Sequence, residues 1–441
     1  MVTFAMRGVF LILIMFIIQV NCSAQDSIPK DKIKTGWSFG GLPIIAYNTD
    51  NGLQYGVLAS VFNYGDGSKY PNYIYATRAE WSRTTKGCKT NQIFFDSKHL
   101  LPYNLRFSAD ISLISYTMQQ FYGLNGYNAV YNSSYENPQS IEYRSKAYYR
   151  YDRVAKRAFF DFQGKTTIPS IRWVAGIGFS KIDIKPVDIN KLNADLSQSE
   201  QLPNIPTLYD KYIQYGIIAQ SEAKGGLTNF IKAGLVYDTR DNEPYPMAGF
   251  WTEAIFMTIP GFLGNTNTFG QVAGIFRHYY TFNKPKITIA SRLAYQGVVY
   301  GNKPFYIQPY FFSTTKTSEA FGGVKTVRGV MNARLQGDGI AFGNVELRYK
   351  TFRKIIFNQN FCVALTAFTD AGLVVQNHKI SETALQQFIE IKQEQDKLHL
   401  GYGMGAHLIM NQNFNISIDY GKAASANDGE DGLYIDLDFL F

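Results

Sequence analysis

The sequence predicts an all-β protein, a transmembrane antiparallel β-barrel of about sixteen strands. Three observations carry this. Apolar and polar residues alternate with period two in segment after segment, as in Leu105-Arg-Phe-Ser-Ala-Asp-Ile-Ser-Leu113. The apolar positions are rich in Tyr, Trp and Phe, and 15% of the chain is aromatic, which suits a wall that crosses two lipid–water interfaces. Connections alternate between short and long, the arrangement of an outer-membrane barrel with turns at one end and loops at the other. A soluble sandwich also alternates apolar and polar, but has no reason to keep that parity.

The N-terminus reads as a secretory signal, residues 1–24. Arg7 supplies the charge, Val9 to Ile18 the apolar core, and Cys22-Ser23-Ala24 the small residues at the cleavage site. A lipid anchor through Cys22 is the weaker alternative, since Asn21 precedes it. Residues 25–36 are a short periplasmic segment, and 37–441 the barrel. The segment before the first strand is too short for a periplasmic domain.

In order, strands are expected near 37–48, 53–64, 72–84, 88–98, 105–116, 145–164, 170–184, 226–239, 249–260, 268–282, 286–299, 339–351, 359–371, 398–410, 413–420 and 432–441. Short connections fall at 65–71, 99–104, 165–169, 283–285 and 411–413; long ones at 117–144, 185–225, 300–338 and 372–397. Two loops carry helical signals. Ser381-Glu-Thr-Ala-Leu-Gln-Gln-Phe-Ile-Glu390 has a Ser cap before good helix formers, and 188–201 is a second candidate. In the last strand Leu433, Ile435, Leu437, Phe439 and Phe441 alternate with Asp436 and Asp438. That places Phe439 and Phe441 towards lipid, at the join with the first strand.

The mean hydropathy of −0.16 is too low for a helical membrane bundle, and alternation hides a barrel's hydrophobicity. The net charge of +8 reads as solubility, or as attraction to anionic head groups. Cys88 and Cys362 fall on distant strands and are expected unpaired, without the companions a metal site requires.

Four motifs organise the chain. Gly322-Gly-Val-Lys-Thr-Val-Arg-Gly-Val330 sets Arg328 beside Gly329 on a loop, and glycine lets such a loop lie deep in a cavity. Glu346, in Gly343-Asn-Val-Glu-Leu-Arg348, and Asp370, in Phe368-Thr-Asp-Ala-Gly372, are inward-facing acids that offer it a partner. A buried guanidinium without acids would be very costly. Asp238-Thr-Arg-Asp-Asn-Glu-Pro-Tyr-Pro-Met-Ala-Gly249 is a polar turn in which Arg240 has Asp238 and Asp241 as neighbours, and Gly249 ends the reversal.

These motifs resemble those of the BamA/TamA superfamily of outer-membrane assembly barrels (bacterial surface antigen barrels). There a V-R-G-[FY] tip on the sixth extracellular loop folds into the barrel and pairs with an acid in an F-x-D-x-G strand end. Here the fourth position is Val330. The turn resembles the family's D-x-R-D-x-x-x-x-P-x-x-G, and Phe121-Tyr-Gly-Leu-Asn-Gly126 its F-Y-G-x-G stretch. The resemblance implies an inward-folded sixth loop locked by Arg328, Gly329, Glu346 and Asp370. It also implies a Gram-negative outer-membrane location, and work in outer-membrane protein assembly, insertion or translocation. Implied partners are outer-membrane lipids and lipopolysaccharide, nascent outer-membrane proteins, and periplasmic or lipoprotein accessory subunits. Family members that handle client proteins usually carry POTRA repeats, and this chain is expected to be a form without them.

The first strand holds Gly40, Gly41 and Pro43. Pro43 donates no ladder hydrogen bond, so this strand suits a weak seam with the last. A weak seam serves a lateral gate; it is equally a harmless irregularity. The other reading is therefore a passive channel or structural surface antigen closed by the sixth loop. No enzyme is expected, and no metal, cofactor or nucleic acid. Gly36-Trp-Ser-Phe-Gly40 has nucleophile-elbow spacing without the helix that elbow needs. The five His residues are scattered.

Overall fold

The computed structural model describes residues 33–48, 52–70, 73–101, 105–194, 196–243, 245–282, 287–314, 317–319, 321–356, 359–388, 391–392, 394–410, 414–429, 431–436 and 441. The predicted signal peptide, most of the 25–36 segment and Phe439 lie outside the described residues.

Sixteen strands form the wall: β1 Trp37–Asn48, β2 Gly52–Asn63, β3 Tyr75–Thr84, β4 Cys88–Leu101, β5 Leu105–Gln120, β6 Arg150–Lys165, β7 Ile171–Lys185, β8 Phe230–Asp238, β9 Gly249–Ile259, β10 Phe269–Thr281, β11 Ile287–Gly301, β12 Gly339–Ile356, β13 Gln359–Gln376, β14 His399–Met410, β15 Phe414–Ala423 and β16 Asp431–Asp436. Each pairs antiparallel with the next, and Tyr47↔Ile435 and Asn48↔Tyr434 close the ring between β1 and β16.

Alternation decides which side chain faces what. On β5, Arg106, Ser108 and Ser112 are buried in the lumen, while Ile111 and Leu113 are exposed on the outer wall. On β12, Asn344, Glu346 and Arg348 point inward, and Val345, Leu347 and Tyr349 outward. The wall is thus apolar outside and polar inside, the inverse of a soluble core. That inversion is stable only where lipid is the outer solvent.

The long connections 121–149, 186–229, 302–338 and 377–398 all leave one end of the ring; the opposite end carries shorter turns. The long loops pack together into an aromatic cap. Phe121, Tyr148, Tyr149, Tyr209, Tyr212, Phe305 and Phe388 share one buried cluster. The 121–129 stretch is its hub. Asn125, with a positive φ of 67°, exchanges hydrogen bonds with the His378 backbone (2.6 and 3.0 Å). Arg334 donates to the Gly126 carbonyl (2.8 Å). The Tyr127 amide donates to Asp396 (2.8 Å). The F-Y-G stretch therefore ties the third loop to the sixth and seventh.

Several boundaries differ from expectation. β12 and β13 each run five residues further, to Ile356 and Gln376. Residues 145–149 belong to the cap, where Ala147, Tyr148 and Tyr149 are buried among loops. The eighth strand is broken: Gly225–Leu227 pairs with β7 separately from β8, and between them Asn229 Oδ1 accepts the Ser180 amide (3.0 Å). The two predicted helices are α1 Ile189–Asn193, capped by Asp188, and α3 Glu382–Gln387, capped by Ser381. Between them α2, Leu208–Gln214, was not read from the sequence; a Thr207–Asp210 capping box starts it.

Phe441 is a correction. Alternation placed it towards lipid, but it is 6% exposed and packs inside with Tyr279 and Ala290. The guanidinium of Arg292 lies 4.9 Å from its ring centroid, and Arg348 Nη2 donates to its carbonyl (3.3 Å). Two lumenal cations hold the ring by its π face, which outweighs the strand's parity.

Candidate functional site

The lock sits in the lumen where the loop 302–338 descends from the cap. Arg328 is fully buried. It grips Asp370 on β13 with both Nε (2.8 Å) and Nη2 (3.0 Å), and its own backbone amide donates to the same carboxylate (3.0 Å). Nη1 faces Glu346 on β12 (2.7 Å) and Asp419 on β15 (3.1 Å). The Phe368 ring lies under the guanidinium, 3.4 Å from centroid to Cζ. Arg348 takes the other oxygen of Glu346 (2.7 Å), and His407 Nε2 meets Asp419 (3.0 Å). Arg292 lies nearby, bonded to Asn344 (2.8 Å), and stands opposite Arg277 in the ladder of β10 and β11. The three carboxylates are what make so much buried positive charge tolerable.

The wall has been cleared for the tip. A methyl group at Gly401 on β14 would collide with the Arg328 carbonyl, and one at Gly421 on β15 would stand 3.0 Å from the Gly329 amide. Gly329 has φ 92° and lies against the backbone of Lys422 and Ala423. Its amide donates to the Tyr434 hydroxyl on β16 (3.0 Å). Lys325 pairs with Asp436, also on β16. Val327 and Val330 fill a buried cluster with Phe311, Phe321 and Phe342, so valine suffices where the family pattern has an aromatic.

A second anchor holds the loop's first half to the far side of the ring. Gln296 brackets the segment, donating to the Tyr310 carbonyl (2.8 Å) and accepting from the Phe312 amide (3.0 Å). Lys232 on β8 pairs with Asp161 (2.9 Å) and donates to the Ser313 carbonyl (2.8 Å). Glu253 on β9 accepts the Thr314 hydroxyl (2.7 Å). The loop thus spans the lumen from β8 and β9 to β13–β16.

The turn 239–248 sits at the other mouth. Asp238 accepts from Arg240 (2.9 and 3.1 Å) and Arg172 (3.0 Å), and Arg240 lies over Trp251. Asp241 accepts the Met247 and Ala248 amides (2.9 and 3.1 Å), and Gly249 adopts φ 94°. Glu243 reaches Arg106 on β5 (2.9 Å), while Tyr245 packs on Ala364 and Ile409 of β13 and β14. This turn therefore lies across the opening. Of the seam residues, Pro43 stands opposite Val57 with its side chain exposed, and Phe441 is in the lumen. Cys88 and Cys362 are not bonded to each other.

Arg328, Glu346 and Asp370 share one site. Asp419, Tyr434, His407 and the two wall glycines were missed by sequence reasoning. Asp419 is legible only as one inward acid of an alternating strand, and the glycines only once the tip's path is known.

The Omp85 superfamily domain matches residues 103–439, well over half of the chain. The chain belongs to the Omp85 superfamily. Among solved structures, this Omp85 barrel is similar to BamA from Haemophilus ducreyi lacking POTRA domains 1–3. The two are 14% identical with a TM-score of 0.54, over 92% of this chain and 70% of that one. It is similar also to CdiB from Escherichia coli, at 9% identity and a TM-score of 0.54, over 94% of this chain and 64% of that one. At these identities the likeness is one of fold. No curated protein sequence matches the chain. An Omp85 barrel is an outer-membrane protein, and the lipid-facing wall agrees with that location.

Proposed function

We propose that this barrel assembles, inserts or translocates other polypeptides at the outer membrane, mechanically and without covalent catalysis, through the seam between β1 and β16. The observation that carries this reading is the grip of the sixth loop on the last strands. Gly329 holds Tyr434, Lys325 holds Asp436, and Arg328 joins β12, β13 and β15 into the same body. One side of the seam is fastened. The other is β1, with Gly40, Gly41 and Pro43. A yielding strand beside a held one can exchange its partner for a client strand by β-augmentation. The clients of this reading are nascent outer-membrane proteins, with lipopolysaccharide and lipids around the wall.

Depletion of the protein followed by an inventory of the outer membrane tests the reading. A selective loss of other outer-membrane proteins supports it, and an unchanged inventory removes it. The aromatic cap and the inserted loop favour a second reading, a closed barrel serving as a surface structure. Conductance in planar bilayers, rising when Arg328 is replaced while the inventory stays constant, would select that one.

A further inference from the structure

The outer face of the wall changes character at one level of β3 to β7. Register sets one outward residue of each strand side by side in a row. One row is Ala79, Ile93, Ile111, Ala158 and Phe179, apolar throughout. The next row towards the long-loop end is Trp81, Asn91, Leu113, Lys156 and Lys181. Above it come Arg83, Lys89, Ser115, Val154 and Asp183. Ile93, Ile111 and Phe179 are exposed on the wall, where lipid chains cover them. Trp81 beside the first lysines marks the lipid–water interface, where amphipathic rings settle. The basic groups of the upper two rows therefore stand at the height of lipid head groups.

Twice in these rows a cation stands directly opposite a cation. Lys156 faces Lys181, and Arg83 faces Lys89. Like charges directly opposite on one face of a sheet are destabilising. Asp183 gives partial relief, 3.3 Å from Lys156 and 3.4 Å from Lys181. It is one carboxylate for two ammonium groups, whose side chains stay 58% and 56% exposed. Arg83 donates to neutral groups, the Ser82 and Thr90 carbonyls and the Asn91 side chain, so its charge is not cancelled. Lys89 is exposed, with Ser115 opposite it on β5. The two rows thus hold four cations and one carboxylate. Lys422 on β15 shows the contrast, since Asp431 on β16 stands directly opposite it.

We propose that this patch binds the phosphate groups of a membrane lipid in the leaflet at the long-loop end. A phosphate between Lys156 and Lys181 replaces one repulsion with two attractions, and Arg83 and Lys89 offer a second seat. The lysine stems lie along the wall and lift their ammonium groups to the head-group level, while the acyl chains follow Ile93, Ile111 and Phe179. Anionic head groups are attracted to such basic clusters. The inference rests on the outer-membrane location and on no role in assembly, and lipid binding is read separately from the protein inventory.

Native mass spectrometry of the full-length protein released from detergent micelles tests this, with lipid A bearing two phosphates as probe and the same lipid dephosphorylated as control. The phosphorylated lipid should bind about tenfold more tightly or better. The double variant Lys156→Gln, Lys181→Gln should lose most of that preference and bind the dephosphorylated lipid as before, a result that misfolding does not produce. Asp183→Asn removes the competing carboxylate and should tighten binding of the phosphorylated lipid. Lys422→Gln should change neither. Equal affinity for the two lipids, a preference that survives in the double variant, or the same loss from Lys422→Gln would overturn the proposal. So would displacement of the lipid by an equal concentration of inorganic phosphate, which would make this a site for the free anion.

Discussion

Arg328 makes its neighbours interdependent. Its charge is fully buried, so each carboxylate matters more for what it neutralises than for its own bonds. Asp370 accepts three hydrogen bonds from this one residue. Replacing it with alanine should cost roughly 3–5 kcal/mol, as for other broken buried pairs. The double variant Arg328→Met, Asp370→Leu should recover part of that loss, because no unpaired charge remains. Heat-modifiability on gels, with folded and unfolded forms resolved, measures both. An Asp370→Ala barrel as stable as the parent would mean that Glu346 and Asp419 carry the lock alone. A second residue gives a pH signature. Lys303, in the sixth loop near Asp338, is almost fully buried, and burial pushes its pKa down from 10.5 to about 8, against the opposing pull of Asp338. The unfolded chain therefore holds this proton more tightly than the folded one. Below about pH 8 the folded state bears the full cost of the buried cation, and stability should rise as pH climbs from 8 towards 10.5. Lys303→Met should be more stable at neutral pH and lose that slope. Parallel slopes in the two proteins would show that Lys303 does not titrate in this window.

At the scale of elements, strands were the most legible feature because one physical rule, lipid outside and water or polar loop inside, acts on every residue of the wall. The rule fails where a strand leaves the membrane. Lys350-Thr-Phe-Arg-Lys-Ile-Ile356 has no alternation to read, so the end of β12 was placed short. Residues 145–149 have strand-like aromatics that serve the cap instead. The lock was legible in part, since Arg328, Glu346 and Asp370 lie within short motifs. Asp419 and the wall glycines act through the third dimension alone. Gly401 tests that last point. Its Cβ would meet backbone, which cannot rotate away, so Gly401→Ala should push the tip off β14 and cost about 1–3 kcal/mol. Gly274 on β10 is a control, since a methyl there meets only the Glu253 carbonyl at 3.7 Å. Gly274→Ala should be close to neutral in the same gel assay. Equal effects at the two glycines would mean that strand propensity, not clearance for the loop, sets the cost.

On the scale of the whole molecule, the sixth loop braces the ring in two places: its first half holds β8, β9 and β11 through Lys232, Glu253 and Gln296, and its tip holds β12 to β16 through Arg328, Gly329 and Lys325. β1 instead depends on its ladder with β2, a continuous register from Trp37↔Asn63 to Asn48↔Gly52, and on its closure with β16. If the barrel opens at a seam, the loop's grip makes β1 the strand that moves. Tyr47 and Ile435 stand directly opposite across the closure, within the reach that a disulfide requires of facing antiparallel residues. Cysteines at these two positions, in a background with Cys88 and Cys362 replaced by serine, should form a crosslink under mild oxidation. The crosslinked barrel should lose its effect on the outer-membrane protein inventory and regain it on reduction. Adding Asp370→Ala should make the crosslink less efficient, because β16 would then lose part of its brace and its register with β1. A crosslinked barrel that works as well as the open one would take the seam out of the mechanism and leave the lock as a purely structural brace.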